Sequence, residues 1–228
     1  MDTAAIGANV TGFISLFRTW TNLRQINSTL IWEPKSVFAS ENGLWGSTHG
    51  PWYTKDSTGK LVNPGYFFTI WRRKNTNEVY KFSLDMGIQL SGTASIEQAS
   101  SLPLHAVSFP GKQLTSSSIK EPKDFFTISS SKSLSEALEK YTGNETALLV
   151  SGSGRILKPE VGKVEQFRKA FHFSQVKSYE LEKNKALYEY GTIRFELEPG
   201  KEKNGQYVHV WVNNNGKPVL LTALYKWD

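Results

Sequence analysis

Two polar side chains, His49 and Asp85, are the candidates for catalysis in this sequence. A carboxylate or an imidazole in a dry cavity can act as a general base if a hydrogen-bond donor stabilises the negative charge that develops on the substrate. Asp85 alternates with apolar residues, so a period of two places it on the face of its strand away from the core. His49 lies near an expected strand bend, where a partly exposed hydrogen-bonding role is the alternative. For each residue, the catalytic role and the non-catalytic alternative both stay open.

Aromatic side chains form the second group of interest, because they could line an apolar binding pocket. Residues 207, 209 and 211 share one face of a predicted strand. Large aromatic residues also serve as core and interface material, so this alternative stays open. The candidate ligand-binding residues are Trp45, Trp52, Trp71, Tyr190, Tyr207, His209 and Trp211.

Several other chemistries find no support in the sequence. The chain has no cysteine, which excludes disulfides, thiol catalysis and Cys-zinc sites. Its many serines lack a Gly-x-Ser-x-Gly elbow, and its glycines form no dinucleotide-binding fingerprint. No His, Asp or Glu cluster has metal-ligand spacing. We therefore expect neither a metal site nor a cofactor.

These candidates depend on two groups of predicted strands. Residues 43–90 form three strands joined by polar turns, which is an antiparallel meander. The C-terminal end repeats the pattern, with an Asn-Gly turn between its last two strands. The predicted strands are residues 44–53, 65–74 and 79–90 in the first meander, and residues 187–197, 205–213 and 219–227 in the second.

The two meanders align as copies of one unit. Gly50 falls on Gly191, Gly65 on Gly205, and Trp71 on Trp211. Upstream, residues 6–20 fall on residues 157–173, and both segments show apolar residues at helical spacing. The second copy carries a further helix and strand, residues 131–150, that the first copy lacks. A self-similar chain of this kind indicates internal duplication.

The resulting fold prediction is an α+β protein with two cone-shaped domains. Each would be a curved antiparallel sheet wrapped on helices, the first lacking its N-terminal helix. The boundaries are 1–92 for the first domain, 93–122 for a linker rich in Ser, Pro and Gly, and 123–228 for the second domain. Residues 104–109 of the linker could add a strand, and we leave that open.

Composition narrows the partners. The 228 residues carry 27 basic and 21 acidic side chains, a net charge of +6, and the basic residues are scattered. We therefore expect no nucleic-acid binding. No apolar run approaches the roughly 20 residues of a membrane helix, and Asp2 stands where a signal peptide needs basic residues. We expect a soluble protein of the bacterial cytoplasm, or an exported one whose signal is absent from this chain.

Segments 30–34, 46–52, 65–71 and 81–85 of the first copy carry a resemblance to a known fold family. The order helix, strand, helix and bent meander resembles the nuclear-transport-factor-2-like cone fold, and the first copy resembles an uncharacterised branch near the SnoaL polyketide cyclases and ketosteroid isomerases. The resemblance covers about three quarters of the chain. In the second copy Tyr190 and Leu224 stand roughly where the first has His49 and Asp85. The resemblance is therefore carried by the four segments of the first copy named above.

That family encloses an apolar pocket used for isomerisation, cyclisation, dehydration or ligand binding, and a fold does not choose among these. Three functions follow as hypotheses. The first is binding of a small apolar molecule without catalysis. The second is an isomerase, cyclase or dehydratase that uses His49 and Asp85. The third is a structural assembly module, with a homodimer as the candidate assembly.

Overall fold

The computed structural model describes residues 6–9, 12–15, 29–91, 104–107, 122–156 and 158–227. The chain divides into two compact units. The first comprises Met1–Ser108 with Gly152–Gly154, and the second comprises Phe109–Ser151 and Arg155–Asp228. Each unit holds a β-sheet, and helices occur in the second, so the predicted α+β class is confirmed.

Eight of the described strands form the sheet of the first unit, in the order β2-β1-β7-β6-β5-β4-β8, with β3 also paired to β5. The central strands β5, β6 and β7 are the predicted antiparallel meander. The bounds are β1 Ile6–Asn9, β2 Gly12–Ser15, β3 Thr29–Trp32, β4 Ser36–Ala39, β5 Trp45–Lys55, β6 Leu61–Arg72, β7 Lys81–Gln89 and β8 His105–Val107.

The second unit has a sheet of six described strands in the order β10-β9-β14-β13-β12-β11. Its helices cover one face of the sheet and contribute Phe125, Leu138, Val161 and Phe167 to the core. The bounds are α1 Lys123–Ser131, α2 Leu134–Tyr141, β9 Thr142–Val150, β10 Gly154–Ile156, two 3-10 helices Lys158–Lys163 and Glu165–Arg168, β11 Phe171–Glu182, β12 Ala186–Glu198, β13 Lys201–Asn214 and β14 Lys217–Trp227.

The aligned tryptophans occupy corresponding positions in their sheets. Trp71 on β6 pairs with Phe82 on β7, directly after a register shift at Ile70. Trp211 on β13 pairs with Leu220 on β14, directly after a register shift in the same place. A β-bulge bends its strand and increases the local twist, so both sheets bend beside the tryptophan.

The aligned glycines also share a physical reason. A Cβ atom on Gly50 would collide with the carbonyl oxygen of Glu33, and one on Gly191 would collide with the carbonyl oxygen of Ser174. A Cβ atom on Gly65 or on Gly205, the second aligned pair, would likewise collide with a backbone carbonyl oxygen of the next strand. Close approach of a neighbouring backbone is the condition that favours glycine inside a strand.

Helical spacing of apolar residues predicts an amphipathic helix over residues 8–21, and this prediction is wrong where the structure describes the segment. Ile6–Asn9 and Gly12–Ser15 are an antiparallel hairpin, and β1 runs parallel to β7. The remaining residues, 10–11 and 16–21, lie outside the described part. Most of the apolar residues of this segment are β-branched or aromatic, which favours strands. Pairing with β7 also satisfies the N–H and C=O groups along that strand's edge.

The helical predictions for the second unit need two corrections. Residues 159–173 do not form one helix, because Pro159 and Gly162 favour short 3-10 turns and Phe171 already belongs to β11. Residues 123–131, at the start of the predicted second domain, form α1, whereas the first helix predicted for that domain began at residue 131. Its run of Ser and Thr has low helix propensity, and burial of Phe125 stabilises it instead.

The sequence predicted antiparallel sheets. Each sheet also contains a pair of parallel strands. β9 runs parallel to β14, and β4 runs parallel to β8, which comes from the predicted linker. Pro34 divides the strand predicted for residues 29–39 into β3 and β4, because proline cannot donate to a ladder. Both pieces nevertheless pair with β5. Among the described residues of the first unit there is no helix.

Candidate functional site

A cavity of about 370 Å³ lies on one face of the sheet of the first unit. It is large enough for a small organic molecule, since ligand pockets start near roughly 300 Å³. Most of its lining is aromatic or aliphatic. The lining residues are Leu30, Trp32, Trp52, Phe67, Thr69, Trp71, Phe82, Asp85, Met86 and Gly87.

Three successive cross-strand pairs of β6 and β7 form the floor of this cavity. They are Phe67 with Gly87, Thr69 with Asp85, and Trp71 with Phe82. Alternation along both strands brings all three pairs to the same face. The register of the meander therefore aims Asp85 into the cavity, although its alternation with apolar residues predicted a solvent-facing position.

Asp85 is the ionisable side chain among those that line the cavity in the described part of the chain. The hydroxyl of Thr69 donates a hydrogen bond of 2.6 Å to Oδ1 of Asp85. Burial raises the pKa of Asp85 above its usual value, and the hydrogen bond from Thr69 opposes that rise. The site therefore holds a carboxyl group that ionises less readily than one in water.

The walls consist of ring faces and edges held by specific contacts. Trp32 and Phe67 pack edge to face at 5.3 Å between ring centroids, and Trp71 and Phe82 do so at 5.9 Å. The indole N–H of Trp71 donates to the Thr48 hydroxyl at 2.8 Å, which satisfies its polar atom and fixes the ring.

Two glycines leave room for the remaining tryptophan of the cavity. A Cβ atom on Gly65 would collide with the indole of Trp52, and one on Gly87 would lie 3.3 Å from its Nε1 atom. The absence of side chains at both positions lets the Trp52 ring lie against the meander. These glycines therefore shape the cavity as well as the strands.

The two predicted catalytic residues do not meet. His49 pairs with Phe68, and Phe68 pairs with Met86, so His49 lies in a different cross-strand row from Asp85. Alternation points its side chain to the opposite face of the sheet from Thr48, which bonds to Trp71. The His49 side chain is buried there and does not line the cavity.

The seven predicted ligand-binding residues separate into three groups. Trp52 and Trp71 line the cavity. Trp45 is buried on the opposite face of its sheet, against Phe38 at 4.8 Å. Tyr190 lies on the face of its own sheet away from the second unit's core. Burial is the largest cause of the rise in the pKa of Tyr190, and the neighbouring Tyr179 is the next.

The third group, Tyr207, His209 and Trp211, is fully buried in the second unit. There Phe125 of α1 packs edge to face on His209 at 5.0 Å and on Trp211 at 5.3 Å. The face that forms an open cavity in the first unit is thus filled with side chains in the second. Phe173 of β11 completes this packing, 4.9 Å from Tyr207.

The cross-strand pairs explain this difference. In the first unit Thr48 faces Thr69, and Gly87 faces Phe67. The corresponding rows of the second unit place Glu189 opposite His209, and Tyr225 opposite Tyr207. Larger side chains therefore occupy the same positions of the sheet. Asp85 corresponds to Ala223, one residue before the Leu224 suggested by sequence alignment.

Those larger side chains form a buried hydrogen-bond network in the second unit. Glu189 accepts from the indole of Trp211 at 2.9 Å and from Gln175 at 2.8 Å, and its Oε1 lies 3.1 Å from Nδ1 of His209. The other ring nitrogen of His209 lies 3.0 Å from the hydroxyl of Tyr225. A buried carboxylate with several such partners orders a core.

Burial lowers the pKa of His209, and the hydrogen bond and charge of Glu189 oppose that shift. Burial likewise raises the pKa of Tyr225, with smaller contributions from Tyr207 and Glu189. Both shifts favour neutral side chains. The network is consistent with a neutral His209 that donates from Nδ1 to Glu189 and accepts at Nε2 from Tyr225.

Sequence reasoning missed several residues of these sites. Thr69 and Phe67 stand two and four residues before Trp71, so strand alternation from a tryptophan already singled out would have found them. Glu189 gave a weaker signal, a carboxylate between two tyrosines in an apolar strand. The partner of Asp85 required the register between strands, which the sequence did not provide.

No protein-family model and no curated protein matches this chain. A DUF4783 family protein from Bacteroides uniformis matches with 13% identity and a TM-score of 0.38, covering 48% of this chain and 98% of its own. An NTF-2-like protein of unknown function from Shewanella oneidensis matches with 11% identity and a TM-score of 0.36, covering 46% and 88%. A cystatin-like-fold protein of unknown function from Nostoc punctiforme matches with 10% identity and a TM-score of 0.35, covering 46% and 83%.

All three TM-scores lie below 0.5, and the resemblance to nuclear-transport-factor-2-like proteins stays a prediction. The SnoaL branch and the tandem arrangement remain predictions. With TM-scores below 0.5, the matches transfer neither a ligand nor an activity. Within the described residues, no helix has the length and apolar character needed to cross a membrane.

Proposed function

We propose that the first unit binds a small, largely apolar molecule in the cavity between β3 and the β5–β7 meander. Aromatic walls would supply most of the contact area, and the Asp85–Thr69 pair would supply one polar anchor. Pockets for small molecules commonly combine these two features. The role of Trp52 and Trp71 as ligand-binding residues is part of this proposal.

The comparison between corresponding faces carries the proposal. Both sheets have a register shift beside an aligned tryptophan, and among the described residues the second unit fills the corresponding face with large residues and α1. In the first unit the equivalent space is the 370 Å³ cavity. An aromatic surface left open in one of two related frameworks is suited to contact a ligand.

The same comparison supports a proposal about the fold. The two units are variants of one cone-shaped framework, related by internal duplication, and the first has no described counterpart of α1 and α2. Glycines forced by backbone contact at Gly50 and Gly191, and again at Gly65 and Gly205, support common ancestry. Equal placement of the register shift beside Trp71 supports it as well.

Fluorescence titration with Nile red, a neutral apolar dye, tests the binding proposal. The dye brightens in an apolar cavity, and we expect saturable binding by the wild-type protein. Trp32→Ala removes a half-exposed wall (50% exposed) and its contact with Phe67. We expect it to weaken dye binding by about fivefold, since one aromatic contact contributes on the order of 1 kcal/mol.

Val176→Ala is the matched control, because Val176 is an exposed apolar residue of the second unit. It should leave the dye affinity unchanged. Dye binding that is absent, or equally weakened by both substitutions, would reject the cavity as the site. If the protein then sediments as a dimer that Trp32→Ala dissociates, the assembly hypothesis takes its place.

The raised pKa of Asp85 favours proton transfer as a second candidate function. A carboxylate in an apolar cavity is a stronger base than one in water, which suits abstraction of a proton next to a ketone carbonyl. Deuterium exchange at the α-carbon of an apolar ketone in D2O, followed by NMR, measures this directly. Exchange that is no faster than in buffer, or that persists in Asp85→Asn, would eliminate this function.

A further inference from the structure

The cavity of the first unit combines aromatic ring faces with one carboxyl group. Trp32, Trp52 and Trp71 contribute indoles to its lining, and no Lys, Arg or His lines it within the described residues. The face of an aromatic ring attracts a cation, tryptophan most strongly, and clusters of such rings recognise quaternary ammonium groups. A neutral ligand would use these rings only as apolar surface.

No basic side chain among the described residues balances the charge of Asp85. Its carboxyl group makes one hydrogen bond with the described residues, from Thr69 to Oδ1. No ion pair to Asp85 occurs among the described side chains, and its neighbour on β1 is Gly7, which has no side chain. An ionised carboxylate in an apolar wall without a counter-ion is unfavourable, so the group either takes up a proton or is balanced by a cationic ligand.

We infer that the ligand of this cavity is an organic cation, a methylated ammonium group held over the tryptophan faces and against Asp85. This inference rests on the proposed function, and it specifies the chemical class of the ligand. The ring faces and the carboxyl group act together, because both lower the energy of a positive charge that has left water. The second unit has Ala223 in place of Asp85 and a filled core, so it has no equivalent site.

The cation preference also has a pH dependence with a defined sign. Only ionised Asp85 attracts a cation, and burial raises its pKa. Affinity for the cation should therefore fall as pH is lowered through that raised pKa. The other side chains that line the cavity from β3, β5, β6 and β7 are neutral at all these pH values, so they add no titration of their own.

Isothermal titration calorimetry with choline and with dimethylbutanol tests the inference on the full chain. Dimethylbutanol is the neutral isostere in which carbon replaces the ammonium nitrogen, so the pair isolates the charge. We expect wild-type protein to bind choline about tenfold more tightly than dimethylbutanol. Asp85→Asn keeps the shape of the side chain and should reduce this ratio to about one.

Asp124→Asn is the control for the loss of one negative charge, because Asp124 is exposed and belongs to the second unit. It should preserve the choline preference. Equal affinities of the wild type for choline and dimethylbutanol, with Nile red still bound, overturn the cation inference and leave the cavity proposal standing. Absence of Nile red, choline and dimethylbutanol binding overturns both.

Discussion

Phe125 is the side chain whose removal should most clearly reveal why the two units differ. It lies fully buried on α1 and packs against Tyr141, Phe173, His209 and Trp211. These contacts fill the sheet face that, in the described part of the first unit, forms the cavity. Phe125→Ala should therefore create a cavity at that position and destabilise the second unit.

The expected loss can be worked out from the packing. Removing the phenyl ring leaves roughly 100 Å³ of empty space, which at about 24 cal/mol per Å³ costs about 2.4 kcal/mol. The lost transfer of the ring from water adds about 2 kcal/mol. Phe125→Ala should therefore lower the free energy of unfolding by about 4 kcal/mol, or roughly 15 °C in the melting temperature of a unit of this size.

Urea denaturation followed by far-ultraviolet circular dichroism measures the change. The control is Phe126→Ala on the same helix, because Phe126 is only partly buried. That variant should lose about 1–2 kcal/mol, since fewer contacts disappear. If Phe125→Ala destabilises the protein no more than Phe126→Ala, then α1 does not close the core, and the comparison between the units fails.

Three further predictions concern single side chains. Glu189→Ala should destabilise the protein by about 3–5 kcal/mol in urea denaturation, because the buried indole of Trp211 and imidazole of His209 lose their hydrogen-bond partner. A loss of unfolding free energy no larger than that of a surface substitution would contradict a structural role for Glu189. Ser133→Ala removes the side-chain cap on the backbone N–H of Glu136 and should lower the melting temperature by an amount equivalent to about 1 kcal/mol, whereas Ser133→Asp should retain most of the stability. Wild-type protein should gain stability relative to Asp85→Asn as pH falls towards 3.8, because a raised pKa of Asp85 in the folded state means that the folded protein takes up the proton first. Urea denaturation of both proteins at pH 7 and at pH 4 checks the sign. A loss of wild-type stability relative to Asp85→Asn at pH 4 would contradict the raised pKa.

The strands of the two meanders were predictable because their signals are local. Alternation of apolar and polar residues, turn residues and the aligned Trp71 and Trp211 identified them within a few residues of their observed bounds. Helices were less predictable. The helical spacing of residues 8–15 is met by residues that also favour strands, whereas α1 has weak helix propensity and depends on burial of Phe125.

The sites show the same division. Trp52, Trp71 and Asp85 were recognised from their residue types and positions in predicted strands, and all three line the cavity. The separation of His49 from Asp85 was not predictable, since it depends on which residues pair across β5, β6 and β7. A shift of one residue in that register would send every side chain to the other face.

The sequence by itself determined where the strands and turns of the two meanders lie, which residues are aromatic, and that two segments of the chain share one pattern. Only the tertiary structure decided that the corresponding sheet face is filled in the second unit and, within the described residues, forms a cavity in the first. In the second unit, a helix distant in sequence covers the strands. The corresponding position of the sheet also differs, since it holds Gly87 in the first unit and Tyr225 in the second. Packing between distant segments is a property of the folded chain, because local patterns specify which face is apolar but not what covers it.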